Sequence, residues 1–176
     1  MSSTSRATLA GLFVLVLAII AAITWYFDHQ RSRYSNLGIA RHYFTHYQPA
    51  EVDSLIRADS TAEVGWQWYG QKTYDSAIVQ LAQTEASDPS YSLARLCIGV
   101  SLLALGDTEQ GISTLDGIYL VTDRQKEVSW YLILGYLAAE EEALARYHLE
   151  ELAADSTDRP AEVDQILDDL GSIWRM

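Results

Sequence analysis

From Ala7 to Phe27 the chain is apolar throughout, "ATLAGLFVLVLAIIAAITWYF", with no charged residue. A helix rises about 1.5 Å per residue, so a run of this length spans roughly the 30 Å hydrocarbon layer of a bilayer. Trp25 and Tyr26 stand at its end, where amphipathic rings favour the headgroup layer. The pattern predicts one membrane-spanning helix at 7–27 behind a short tail at 1–6. A cleaved signal peptide is the competing reading. It is disfavoured because no Ala-x-Ala precedes the bulky Trp25-Tyr26-Phe27, and no cysteine follows to accept a lipid.

Residues 28–57 are polar and aromatic and are broken by Pro49. They predict a juxtamembrane linker with one short helix over about Asn36 to Tyr47, since the residue before proline avoids the helical region. Beyond them the apolar spacing becomes regular. Small residues recur at Ala77, Gly111 and Ala145, each followed four positions later by leucine: Leu81, Leu115 and Leu149. Thr84, Ile118 and Leu152 continue the series. Gly65 and Gly99 stand twelve residues before the small position, and Gly135 stands two residues out of step. Pro89, Asp123 and Thr157 fall in turn-like contexts twelve residues after it. A constant stride of 34 with small, large and turn positions is the mark of stacked helical hairpins. In such a hairpin a small residue lets two helices cross closely, and the leucine fills the groove beside it. Neither helix buries enough apolar area alone, so neighbouring units must stack.

The unit resembles the tetratricopeptide repeat, most specifically at "YGQKTYDSAIVQLAQTEASDP" (Tyr69 to Pro89) and "IGVSLLALGDTEQGISTLD" (Ile98 to Asp116). A third copy, "WYLILGYLAAEEEALARYHLEELAAD" (Trp130 to Asp155), is similar, with an inter-helix turn that reads as two residues shorter. Lys72 stands where a turn glycine is common in the family, and Thr61 where an aromatic is usual. The resemblance implies three repeats over 58–158. The remainder, 159–176, has apolar residues at Val163, Ile166, Leu167, Leu170, Ile173 and Trp174, the spacing of an amphipathic helix closing the stack. The expected fold is therefore all-α: a membrane helix, a short juxtamembrane helix, a helical-hairpin solenoid and a C-terminal capping helix.

In this repeat family the first helix of each unit lines a concave face that receives a partner peptide. Carried over by position, the groove residues are Trp66, Tyr69, Val100, Leu103 and Tyr136, whose aromatic and aliphatic types suit an apolar or mixed segment. Ala139 follows Leu103 in the same series. The resemblance extends to small membrane-anchored tetratricopeptide proteins of Bacteroidetes-type bacteria, and so implies an envelope protein with its repeats outside the cytoplasm. Some relatives of those proteins carry a zinc-binding domain before the membrane helix. Residues 1–6 here hold neither Cys nor His. Counting charge alone, Arg6 against Arg31, Arg33 and Arg41, leaves orientation open.

Net charge is −12 over 176 residues, which argues against a nucleic-acid partner. Cofactor, metal and catalytic sites are not expected. His42 and His46 are spaced i, i+4, as zinc ligands on a helix are, but lack a third ligand or an intervening carboxylate. Cys97 lies in an apolar stretch and reads as a small buried hydrophobe. The acidic run Glu140 to Glu142 reads as a solvated turn. Phosphate loops, dinucleotide turns and nucleophile elbows are absent from the sequence. The function expected is a membrane-anchored adaptor binding a protein or peptide partner. A structural or assembly subunit of a larger membrane complex is the alternative, supported by the small residues Ala7, Ala10, Gly11, Ala18, Ala21 and Ala22 on the apolar helix.

Overall fold

A computed structural model describes residues 3–50, 63–154 and 160–172, with side chains over 13–50, 63–154 and 161–172. The described residues form helices and no strands. In chain order these are α1 (Ser3–Arg33), α2 (Asn36–Tyr43), α3 (Glu63–Gly70), α4 (Tyr74–Leu81), α5 (Tyr91–Leu105), α6 (Thr108–Tyr119), α7 (Gln125–Ala138), α8 (Glu142–Ala154) and α9 (Pro160–Leu170). Ile173 and Trp174, expected on the last helix, and Thr61 and Thr157 lie outside the described residues.

Helix α1 is the one described helix long and apolar enough to cross a membrane. Its side chains from Phe13 to His29 are exposed, so the domain does not bury its apolar length. The helix runs past the expected end at Phe27 to Arg33, where Arg31 and Arg33 meet the negative end of the helix dipole. Gly38 then brings α2 against it: a Cβ there would run into the Ser32 and Arg33 carbonyls. Ser35 caps α2 by accepting from the Gly38 amide at 3.1 Å.

From α3 to α8 each helix packs on its neighbour in sequence. The stride of 34 is written into the backbone. Lys72, Gly106 and Glu140 all take the left-handed conformation, at φ 59, 84 and 63°. One residue on, the amides of Thr73, Asp107 and Glu141 bond the carbonyls of Trp68, Leu102 and Tyr136 at 2.9, 2.9 and 2.8 Å. This six-to-one bond closes a Schellman turn and satisfies the last carbonyls of the first helix. The carbonyls of the same three residues accept from Ala77, Gly111 and Ala145 and begin the next helix. The third turn is thus as long as the other two, correcting the shorter turn read from its sequence. Left-handed Glu140 takes the glycine's place there, as Lys72 does in the first.

Ala77, Gly111 and Ala145 are buried, as are Leu81, Leu115 and Leu149. A Cβ on Gly65 would come within 3.0 Å of Leu81, and one on Gly99 within 2.6 Å of Leu115. Gly135 breaks the series. Its nearest side chains are Ile112 on α6 and Leu103 on α5, so it admits the preceding hairpin and not the partner helix α8. Ile133, fully buried, holds the stride position in the third unit.

Helix α9 buries Val163, Ile166 and Leu170 and packs on α8 and α2. Arg146 joins α8 to its end by donating to the Leu170 carbonyl at 3.2 Å. Two apolar clusters result. One surrounds α3, α4 and one face of α5; the other, larger, surrounds α7 with α2, α6, α8 and α9 and takes Leu96 and Val100 from α5.

Candidate functional site

The segment expected to be a linker lies across the first helices of the hairpins. Helix α2 packs on α7, burying Ile39 and Ala40. It stops at Tyr43, four residues before the expected end, because Phe44 turns extended (φ −67°, ψ 119°). Residues 44–49 are non-helical. Their carbonyls, released from helical bonding, are taken by two tyrosines of the hairpins. The Tyr131 hydroxyl on α7 donates to the Thr45 carbonyl at 2.6 Å, and the Tyr69 hydroxyl on α3 donates to the Tyr47 carbonyl at 2.9 Å.

Tyr47 is the central side chain. It packs against both apolar clusters, its ring meets Tyr131 edge-on at 6.2 Å, and its hydroxyl accepts from the Arg124 guanidinium at 3.1 Å. Burial raises its pKa, partly offset by Arg124. Phe44 meets Tyr131 at 6.0 Å. His46 lies on Tyr69 with ring centroids 4.5 Å apart and shares a 3.1 Å hydrogen bond with the Tyr74 hydroxyl. Burial, reinforced by Lys72, lowers the His46 pKa and keeps the ring neutral at pH 7. Tyr43 ends α2 by donating to Asp169 on α9 at 2.9 Å; burial and that carboxylate raise its pKa to about 12.

The expected groove residues divide against this geometry. Trp66 is fully buried beneath α4 and α5, among Ala77, Leu81, Ala94 and Cys97, and presents no surface to a partner. Its indole nitrogen has no hydrogen-bond partner among the described residues. Val100 is equally buried, in the larger cluster. Tyr136 is nearly buried and stacks on His148 at 5.6 Å, on the α8 side of α7. These three are core residues, because the first helices are apolar around most of their circumference and pack on both sides. Tyr69 does face the groove, but the chain's own Tyr47 and His46 cover it. Leu103 alone of the five lines open space.

That space is a cleft of about 680 Å³ between α2 and the α5–α6 turn. Leu37, Phe44, Leu103, Leu105, Leu134 and Ala138 form apolar walls, with Arg41 and Tyr74 also lining it. Sequence reasoning missed Tyr131, Tyr47, Thr45 and Arg124 as groove-forming residues. The available signal was the aromatic density of "RHYFTHYQP", too apolar for a solvated linker.

His42 and His46 do not share a helical face, since α2 ends between them. His42 meets the Tyr43 ring at 4.8 Å and is exposed, while His46 points into the groove. Among the described residues no three His, Cys, Asp or Glu side chains converge as metal ligands would. Cys97 is fully buried and its pKa is raised by that burial, which keeps it a thiol. No family model matches this chain, and no curated protein or solved structure matches it either.

Proposed function

We propose that the protein is a membrane-anchored adaptor of the tetratricopeptide type that binds a partner protein along the inner face of its hairpins and performs no catalysis. One observation carries the reading: that face already holds a non-helical stretch of backbone, residues 44–49, through the Tyr69 and Tyr131 hydroxyls and aromatic packing. A surface that orders a peptide of its own chain has the hydrogen-bond donors and rings that recognise a peptide from another. The open cleft beside the resident segment is where a partner's apolar side chains enter, against Leu103, Leu105 and Leu134. Helix α9 acts as the closing cap, and the anchor confines the adaptor to an envelope membrane with the repeats on the periplasmic side. Confinement raises local concentration, so modest affinity suffices.

The test is a photocrosslinking amino acid placed at Leu105 in the full chain in cells. A single defined adduct that disappears with Leu134→Glu, while helicity is kept, supports the cleft. The same adduct pattern with and without that substitution removes it. A C-terminal reporter active only in the periplasm or only in the cytoplasm settles the side.

A second reading, a permanent subunit of a larger membrane complex, draws on a different surface. Leu120 and Val121, between α6 and α7, are 82 and 76% exposed, and Leu144 and Tyr147 are exposed on α8. Blue-native electrophoresis after mild extraction separates the two: a stable high-mass band favours the subunit.

A further inference from the structure

Where α1 meets α2, the close approach at Gly38 leaves a cleft of about 190 Å³ lined by His29, Ser32, Arg33, Ser35, Leu37 and Arg41. In a chain of net charge −12, residues 28–48 hold three arginines against one aspartate. Arg31, Arg33 and Arg41 form no ion pair with any described residue, and all three are exposed. Arg33 and Arg41 reach the cleft from different helices. They converge because α2 is pinned against the end of α1, and Arg31 stands at a neighbouring cleft with Glu140. Helical rise puts Arg33 about 9 Å beyond Phe27, comparable with the thickness of one headgroup layer, about 6 Å. Leu37 and Arg41 also line the larger apolar cleft, so the two open onto a shared wall.

We propose that this junction binds the phosphodiester headgroup of an anionic phospholipid, with Arg33 and Arg41 pairing its charge and Ser32 and His29 supplying further hydrogen-bond donors. Guanidinium groups suit phosphate because their planar forks present paired donors. The site fixes α2, and through it the groove, at a set height above the bilayer. The inference rests on α1 lying in the membrane; incorporation into nanodiscs reads that premise separately.

The full chain, in nanodiscs of equal phosphatidylglycerol and phosphatidylcholine, is released for native mass spectrometry and the retained lipids are counted. About 25-fold preference for phosphatidylglycerol is expected, since each of the two arginines near an anionic surface contributes about fivefold. Arg33→Gln with Arg41→Gln should bring the two lipids to parity, whereas Lys72→Gln, on the α3–α4 turn, should leave the preference intact. Equal retention by the unaltered chain overturns the proposal, as does a preference that survives the double substitution. Glycerol 3-phosphate in solution bound as well as the lipid would overturn the lipid assignment and leave a soluble phosphate site.

Discussion

A Cβ placed on Gly99 would lie 2.6 Å from Leu115 Cγ, and one on Gly65 would lie 3.0 Å from Leu81 Cγ, at the same offset along the chain. The two helices of the first and second hairpins therefore meet glycine against leucine, and the crossing distance there depends on the missing methyl. Gly99→Ala should destabilise the domain by about 1–3 kcal/mol, because Leu115 is fully buried and cannot move aside. Gly117→Ala, on the exposed face of α6 with nothing within 4 Å, should stabilise it by about 0.5–1 kcal/mol. Urea unfolding followed by circular dichroism reads both.

Left-handed residues at 72, 106 and 140 give a second prediction. Glu140→Gly removes a side chain from a conformation that costs ordinary residues about 1–2 kcal/mol. Part of that gain is offset by glycine's greater chain entropy, leaving a stabilisation of about 0.5–1 kcal/mol. Gly106→Ala should move the unfolding midpoint the other way by a similar amount.

Trp66→Ala should unfold the domain or lower its stability by about 3–5 kcal/mol, as for a fully buried aromatic. Loss of partner binding in that variant would report misfolding. Leu105→Glu, at an exposed position on the cleft rim, should leave the unfolding midpoint within about 0.5 kcal/mol of the parent.

Tyr131→Phe and Tyr69→Phe each remove one bond to the resident segment. Each should cost about 1 kcal/mol and speed amide exchange across residues 44–48, with exchange in α5 and α6 unchanged. Uniform acceleration over the whole domain would show that the segment does not open by itself.

Acid should loosen the same groove. Burial holds the folded-state pKa of His46, and that of His148, below the unfolded value. For a base this makes the unfolded chain take up the proton first, so stability is full above pH 6.5 and falls as pH drops below it. His46→Gln should flatten that fall, measured as the thermal midpoint between pH 7.5 and 5.

The stride of 34, the positions of Ala77, Gly111 and Ala145 and the leucines four residues later were all legible in the sequence, because each is a local consequence of helix geometry. So was the long apolar helix. The length of the third turn was not, since Glu140 in the left-handed conformation carries no glycine to announce it. Gly135 misled for the opposite reason: glycine signals a close approach without saying from which side.

The resemblance to a repeat family named a face of each first helix as the groove, and there the sequence stopped. Whether Trp66 or Tyr69 meets solvent depends on how far α4 and α5 wrap around α3, a matter of packing angle. That residues 44–49 lie on Tyr69 and Tyr131 depends on pairings 22 and 86 residues apart. Local pattern determined which helices form; only their assembly decided what fills the space between them, because a chain segment's burial is set by surfaces remote from it in sequence.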